Sequence, residues 1–141
     1  AIACQPKLLI ADEPTTALDV TIQAQILELL KRQQKKQNMS MILITHNFGI
    51  VSDYTDDVAV MYAGRIVEKC STDELILHPH MPYTEALIKS APLLSDPPHS
   101  RLHSIPGLPP NLLDIPKGCR FHARCSYGKQ KCANLRSIQD G

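Results

Sequence analysis

The sequence predicts an α/β protein with a mostly parallel sheet, followed by a proline-rich, cysteine-bearing extension. Three observations predict it. Over the first ninety residues, apolar runs of strand length alternate with segments of helical apolar spacing, the pattern of βαβ units. The pair Asp12-Glu13 and then His46 each stand at the end of such a run, where open parallel sheets present ligands. Beyond residue 91 the composition shifts. Seven of the 11 prolines (Pro92, Pro97, Pro98, Pro106, Pro109, Pro110 and Pro116) precede a cluster of Cys119, Cys125 and Cys132. The expected division is therefore 1–91 and 92–141.

Each element has its own signal. Leu8 to Ala11 has the look of a buried strand, and Pro14, Thr15 and Thr16 end it. Asp19 is a good helix N-cap, and Ile22, Ile26, Leu29 and Leu30 follow at helical spacing to about Gln37. Lys31, Arg32, Lys35 and Lys36 suit the C-terminal turns and the solvated face of that helix. Met41 to Thr45 is a second buried strand, and Phe48 to Ser52 reads as a short helical turn. Asp57 to Tyr62 and Ile66 to Lys69 form a hairpin about Ala63-Gly64-Arg65. Ser71-Thr72-Asp73-Glu74 has capping-box spacing and opens a helix, and Pro82 suits the first turn of another over Tyr83 to Ser90. From Pro92 to Pro116, proline removes donors and fixes φ, so an extended, surface-hugging link to a small cysteine-bearing tail is expected.

Composition narrows the function. The 141 residues suit one ordinary domain, and 43% hydrophobic with 21% charged residues is globular usage. No apolar run approaches the ~18 residues a membrane helix needs. The net charge of +1 argues against bulk attraction to nucleic acid. The start, Ala1-Ile2-Ala3-Cys4, has no Met and no signal-peptide pattern, and reads as a cut through a longer protein. Five cysteines without such a signal fit a reducing compartment, so the terminal three read better as metal ligands than as disulfides.

Two adjacent carboxylates at a strand end fit phosphoryl chemistry. One can hold Mg²⁺, an ion that keeps several waters and takes one or two carboxylates. The other can orient or deprotonate the attacking water, worth roughly 10²–10⁴-fold in rate. Two solvated acids are the plain rival reading. His46 lies one helix and one strand further on, an order that brings it near Glu13 in a parallel sheet with right-handed crossovers. A donor there would face developing phosphate charge.

The run Leu8-Leu9-Ile10-Ala11-Asp12-Glu13-Pro14-Thr15-Thr16-Ala17-Leu18-Asp19 closely resembles the Walker B and D-loop block of ABC-transporter ATPases, a branch of the P-loop NTPases. Thr45-His46-Asn47 resembles their H-loop, and Asp57 to Glu68 the hairpin after it. The resemblance implies that Asp12 is the magnesium-site acid and Glu13 the catalytic base. It implies that His46 contacts the γ-phosphate and helps hold Glu13 and the water. Asp19 then belongs to the D-loop at a dimer interface. The family usually has Ser at Thr16 and Asp at Asn47, so both are small departures. No G-x-x-x-x-G-K-[ST] loop occurs. In the family that loop, the adenine-stacking aromatic, the glutamine loop and the signature all lie upstream, and Ala1 to Cys4 resembles the end of the signature helix. The chain alone is therefore expected not to bind ATP usefully.

His80-Met81-Pro82-Tyr83-Thr84, Pro106-Gly107-Leu108-Pro109-Pro110, Pro116 to Phe121 and the cysteines resemble the C-terminal extension of the oligopeptide/dipeptide subfamily. That resemblance implies a subunit that hydrolyses ATP, with Mg²⁺, to power import of short peptides. It implies a second ABC ATPase as partner, two permease subunits, and indirectly an extracytoplasmic peptide-binding protein, with no nucleic acid. The expected location is peripheral, on the cytoplasmic face of the inner membrane. Nickel or glycoside import, and a soluble ABC-type ATPase not coupled to transport, are the alternatives; the proline-rich and cysteine-rich tail speaks against the latter. Cys119, Cys125 and Cys132 stand at C-x₅-C-x₆-C. Iron–sulfur clusters usually want four cysteines. Some subfamily members resemble this pattern with a fourth cysteine further on, so a 4Fe–4S cluster, zinc with His122, and free thiols all stay open.

Overall fold

The computed structural model describes residues 2–90 and 104–134. The chain forms two compact units, Ala1–Thr55 and Asp56–Gly141.

The first unit is one strand–helix–strand motif with a short helix after it. Strand β1 (Leu8–Asp12) pairs in parallel with β2 (Ser40–Ile44), from Leu8 opposite Ser40 to Asp12 opposite Ile44. Helix α1 (Val20–Gln37) is the crossover. Its start is fixed by Asp19, whose carboxylate accepts from the Ile22 amide at 3.0 Å. Its end is fixed by Asn38 in the left-handed region, φ 49°. Leu9, Ala11, Leu30 and Met39 form the core, with Ile26, Met41 and Leu43 packed against it. Helix α2 (Phe48–Tyr54) follows.

The expectation of fully buried strands is corrected here. Burial along β1 alternates, and Leu8, Ile10, Ile42 and Ile44 are 47, 61, 48 and 46% exposed. Side chains of a strand alternate between its faces, and the core that holds Leu30 of α1 lies on one of them.

The second unit opens with β3 (Asp57–Tyr62) and β4 (Arg65–Ser71), antiparallel, with an irregularity between Val60 and Met61. Ala63 and Gly64 link them at φ 49° and 78°. Positive φ at both central residues is what a two-residue hairpin turn requires. A mostly parallel sheet is thus also corrected: the described residues hold one parallel and one antiparallel pair, because a two-residue link cannot return a strand in the same direction. Ser71 caps α3 (Thr72–Leu77) by accepting from the Glu74 amide, and Leu75 of that helix is fully buried. Ahead of α4 (Pro82–Ser90), the amides of His80 and Met81 donate to the Glu68 carboxylate at 2.7 and 3.2 Å.

Residues 104–134 carry only short 3-10 turns, His122–Arg124 and Gln130–Ala133. Phe121 anchors them, 2% exposed, with its ring 5.3 Å from Tyr62 and 5.2 Å from Tyr83. Arg120 donates to the Ala63 carbonyl, and Arg124 to the Pro106 and Ile105 carbonyls at 2.9 and 3.2 Å. Of the proline-rich link, Pro92, Pro97 and Pro98 lie outside the described residues.

Candidate hydrolytic site

The site is built where β1 ends. Glu13 extends the parallel pairing by one bond, its amide donating to the Ile44 carbonyl at 2.9 Å. The chain then turns sharply, with Glu13 at φ 45° and Ala17 at φ 64°. Non-glycine residues in that region cost about 1–3 kcal/mol each and persist only where the surroundings hold them. Main-chain bonds from Thr16 to Glu13 (3.1 Å) and from Leu18 to Thr15 (3.3 Å) close the turn. The Gln23 side-chain amide, one turn into α1, donates to the carbonyls of Thr15 at 3.1 Å and Leu18 at 3.3 Å.

Because β2 runs parallel to β1, His46 emerges beside Glu13. Its Nδ1 lies 2.7 Å from Glu13 Oε1, and the Thr16 hydroxyl donates to Glu13 Oε2 at 3.0 Å. The bond to His46, above all, holds the Glu13 carboxyl below the usual carboxylate range, with burial opposing it and Thr16 assisting. The His46 side chain is 85% exposed and that of Glu13 36%, so both are open to a ligand. Nδ1 is engaged on Glu13, which leaves Nε2 for another partner.

Asp12 is exposed at the end of β1, beside Glu13. One accessible carboxylate fits the donor set of an ion that keeps most of its waters. Asp19 acts as the cap of α1. Asn47 caps α2, its Oδ1 accepting from the Gly49 amide at 2.9 Å. Asp and Asn cap about equally well, so Asn47 fills the cap as an aspartate would.

Among the described residues the terminal cysteines are not gathered as a ligand set. The Cys119 amide donates to the Cys132 carbonyl at 2.9 Å, and a Cβ on Gly118 would collide with the Ala133 backbone, so the two segments meet through main chain. Cys119, Cys125 and Cys132 are free thiols, and among the described residues no three His, Cys, Asp or Glu side chains are gathered for a metal ion.

Comparison with known proteins adds the family. The chain is 52% identical to the dipeptide transport ATP-binding protein DppD of Haemophilus influenzae, over 96% of its own length and 41% of that protein's. It is 57% identical to the oligopeptide transport ATP-binding protein OppD of Bacillus subtilis, over 90% of its length and 36% of that protein's. Residues 67–132 match the family described as oligopeptide/dipeptide transporter, C-terminal region. The chain belongs to the peptide-transport ATP-binding proteins of the ABC family. It spans about two fifths of the length of these relatives. A solved structure, CbiO1 of Clostridium perfringens, described as part of the ABC transporter complex CbiONQ, is 38% identical over 52% of the chain and 30% of its own, with a TM-score of 0.49.

Within this family member, sequence reading singled out Asp12, Glu13 and His46 but not the bonds that Thr16 and Gln23 make. Thr16 reads as a variant of Ser and Gln23 as one polar position on a helix. A hydroxyl three residues past a carboxylate is the signal that was there to find.

Proposed function

We propose that this chain is the hydrolytic part of a subunit that cleaves ATP to power import of short peptides through an ABC permease. The observation that carries the reading is the pairing of Glu13 with His46 at 2.7 Å, beside Asp12 at the end of a parallel strand. The relatives' names, transport ATP-binding proteins for dipeptides and oligopeptides, support the substrate class.

Each residue then has a role. Asp12 holds Mg²⁺, which when bound neutralises charge on the phosphates. Glu13 orients the attacking water: its carboxylate has about four lone-pair sites, and His46 and Thr16 use one each. A carboxylate so placed can both aim the water and take its proton. His46 keeps Nδ1 on Glu13 and offers Nε2 to a phosphate oxygen. Asp19 and its turn face a second ATPase subunit, and two permease subunits take up the work of closure. The division 1–91 as the ATPase portion and 92–141 as the extension belongs to the same reading, as does a peripheral place on the cytoplasmic face of the membrane. Among the described residues no helix is long and apolar enough to cross it.

The phosphate-gripping loop has no counterpart in these 141 residues, so the test uses the protein with the additional length its relatives have. Glu13→Gln is expected to lower ATP turnover by roughly 10²–10⁴-fold while nucleotide binding persists. Turnover equal to wild type would remove Asp12-Glu13 from the hydrolytic role.

A further inference from the structure

We propose that Thr16 is a positioning residue for the Glu13 carboxylate, and that Gln23 holds Thr16 within reach of it. The inference rests on the hydrolytic reading of Glu13.

A glutamate carboxylate turns about a broad, two-fold terminal torsion. One bond, from His46 to Oε1, fixes one oxygen and leaves the plane of the group free to swing. The Thr16 hydroxyl, on Oε2 at 3.0 Å, fixes the second. With both oxygens tethered, the remaining lone pairs point in set directions, which is what aiming a water requires. Thr16 can do this only because the turn is closed. Its own amide bonds the Glu13 carbonyl at 3.1 Å, so side chain and main chain of Thr16 grip the same residue.

The turn needs an outside hold, since Glu13 and Ala17 both sit at positive φ. Gln23 supplies it. Its side-chain amide has two hydrogens and donates to Thr15 and Leu18, the residues that flank Thr16-Ala17. Thr15 is buried, so its carbonyl is offered in a fixed place. Gln23 is one turn inside α1, a helix of 18 residues whose start is capped by Asp19. The carboxylate is thereby referred, through Thr16 and the turn, to a rigid element. The hydroxyl is the functional part of Thr16, which is why a serine would serve as well.

The test reads the rate with a conservative control. Valine keeps the shape of Thr16 and drops the hydroxyl, and serine keeps the hydroxyl. In the longer protein, Thr16→Val and Gln23→Met are expected to lower kcat for ATP by between about tenfold and a hundredfold, with KM unchanged and Thr16→Ser close to wild type. An unchanged kcat in Thr16→Val, with Glu13→Gln inactive in parallel, would overturn the positioning role and leave the hydrolytic reading intact. Full turnover in Glu13→Gln would instead sink that reading, and the role of Thr16 with it.

Discussion

At Glu13 a single side chain collects the donors of two others, and its ionisation reports them. The bond from His46 is the largest cause of its lowered carboxyl. His46→Ala is therefore expected to raise the Glu13 titration midpoint, and by more than Thr16→Val does. Carbon NMR of the carboxyl checks it, and a midpoint unmoved by His46→Ala would show that the two side chains do not meet in solution. The sign for stability follows. A carboxyl lowered on folding contributes stability that is fully present above its unfolded value and is lost as pH falls through the folded one. The screened, exposed setting of His46 keeps that contribution small. Glu13 and His46 were legible in the sequence because acid and imidazole stand at the ends of two apolar runs, in the order a parallel pair brings together. Thr16 was not, because a threonine in a turn has many local acceptors and only geometry chooses among them.

The elements were legible where capping chemistry marks their ends. Asp19 and Ser71 are N-caps as their spacing suggests, and α1 ends at Gln37 before the left-handed Asn38. Asp19→Ala is expected to cost about 1 kcal/mol, read as a lower urea midpoint by circular dichroism with an unchanged slope. A midpoint within error of wild type would mean that the cap bond to Ile22 contributes nothing net. Strand burial was less legible. Leu8-Leu9-Ile10-Ala11 is apolar at every position, which signals cover on both faces. The structure covers the face of Leu9 and Ala11 and exposes that of Leu8 and Ile10. Periodicity of a continuous apolar run carries no information about which face is covered, or by what. The direction of the second pair was settled by its turn, since Ala63-Gly64 leaves room only for a hairpin.

Over the whole chain, the least legible stretch is the tail. Hydropathy treats Phe121 and Leu113 alike, as apolar residues in a polar, proline-rich run, and the structure separates them completely. Phe121 is 2% exposed and Leu113 is 95% exposed. The difference arises from partners remote in sequence: Tyr62 on the hairpin and Tyr83 on α4, themselves 4.5 Å apart, make a three-ring cluster into which Phe121 fits edge-on. Aromatic pairs of this kind add about 0.5–1.5 kcal/mol beyond the area they bury. With no strand and only short 3-10 turns among residues 104–134, the ring and the arginine bonds are what fasten this segment to the hairpin. Phe121→Ala is accordingly expected to cost about 3–5 kcal/mol in the second unit, the range for emptying a buried aromatic site. Leu113→Ala is expected to stay within about 0.5 kcal/mol of wild type. Urea unfolding of the two variants side by side, with hydrogen exchange at the amides of Cys119, Arg124 and Cys132, separates the outcomes. Loss of protection at those amides in Phe121→Ala, with protection kept in Leu113→Ala, is the result that a ring-anchored tail requires. Equal, small effects in both would mean that the tail is held by its backbone bonds and that the ring cluster contributes little.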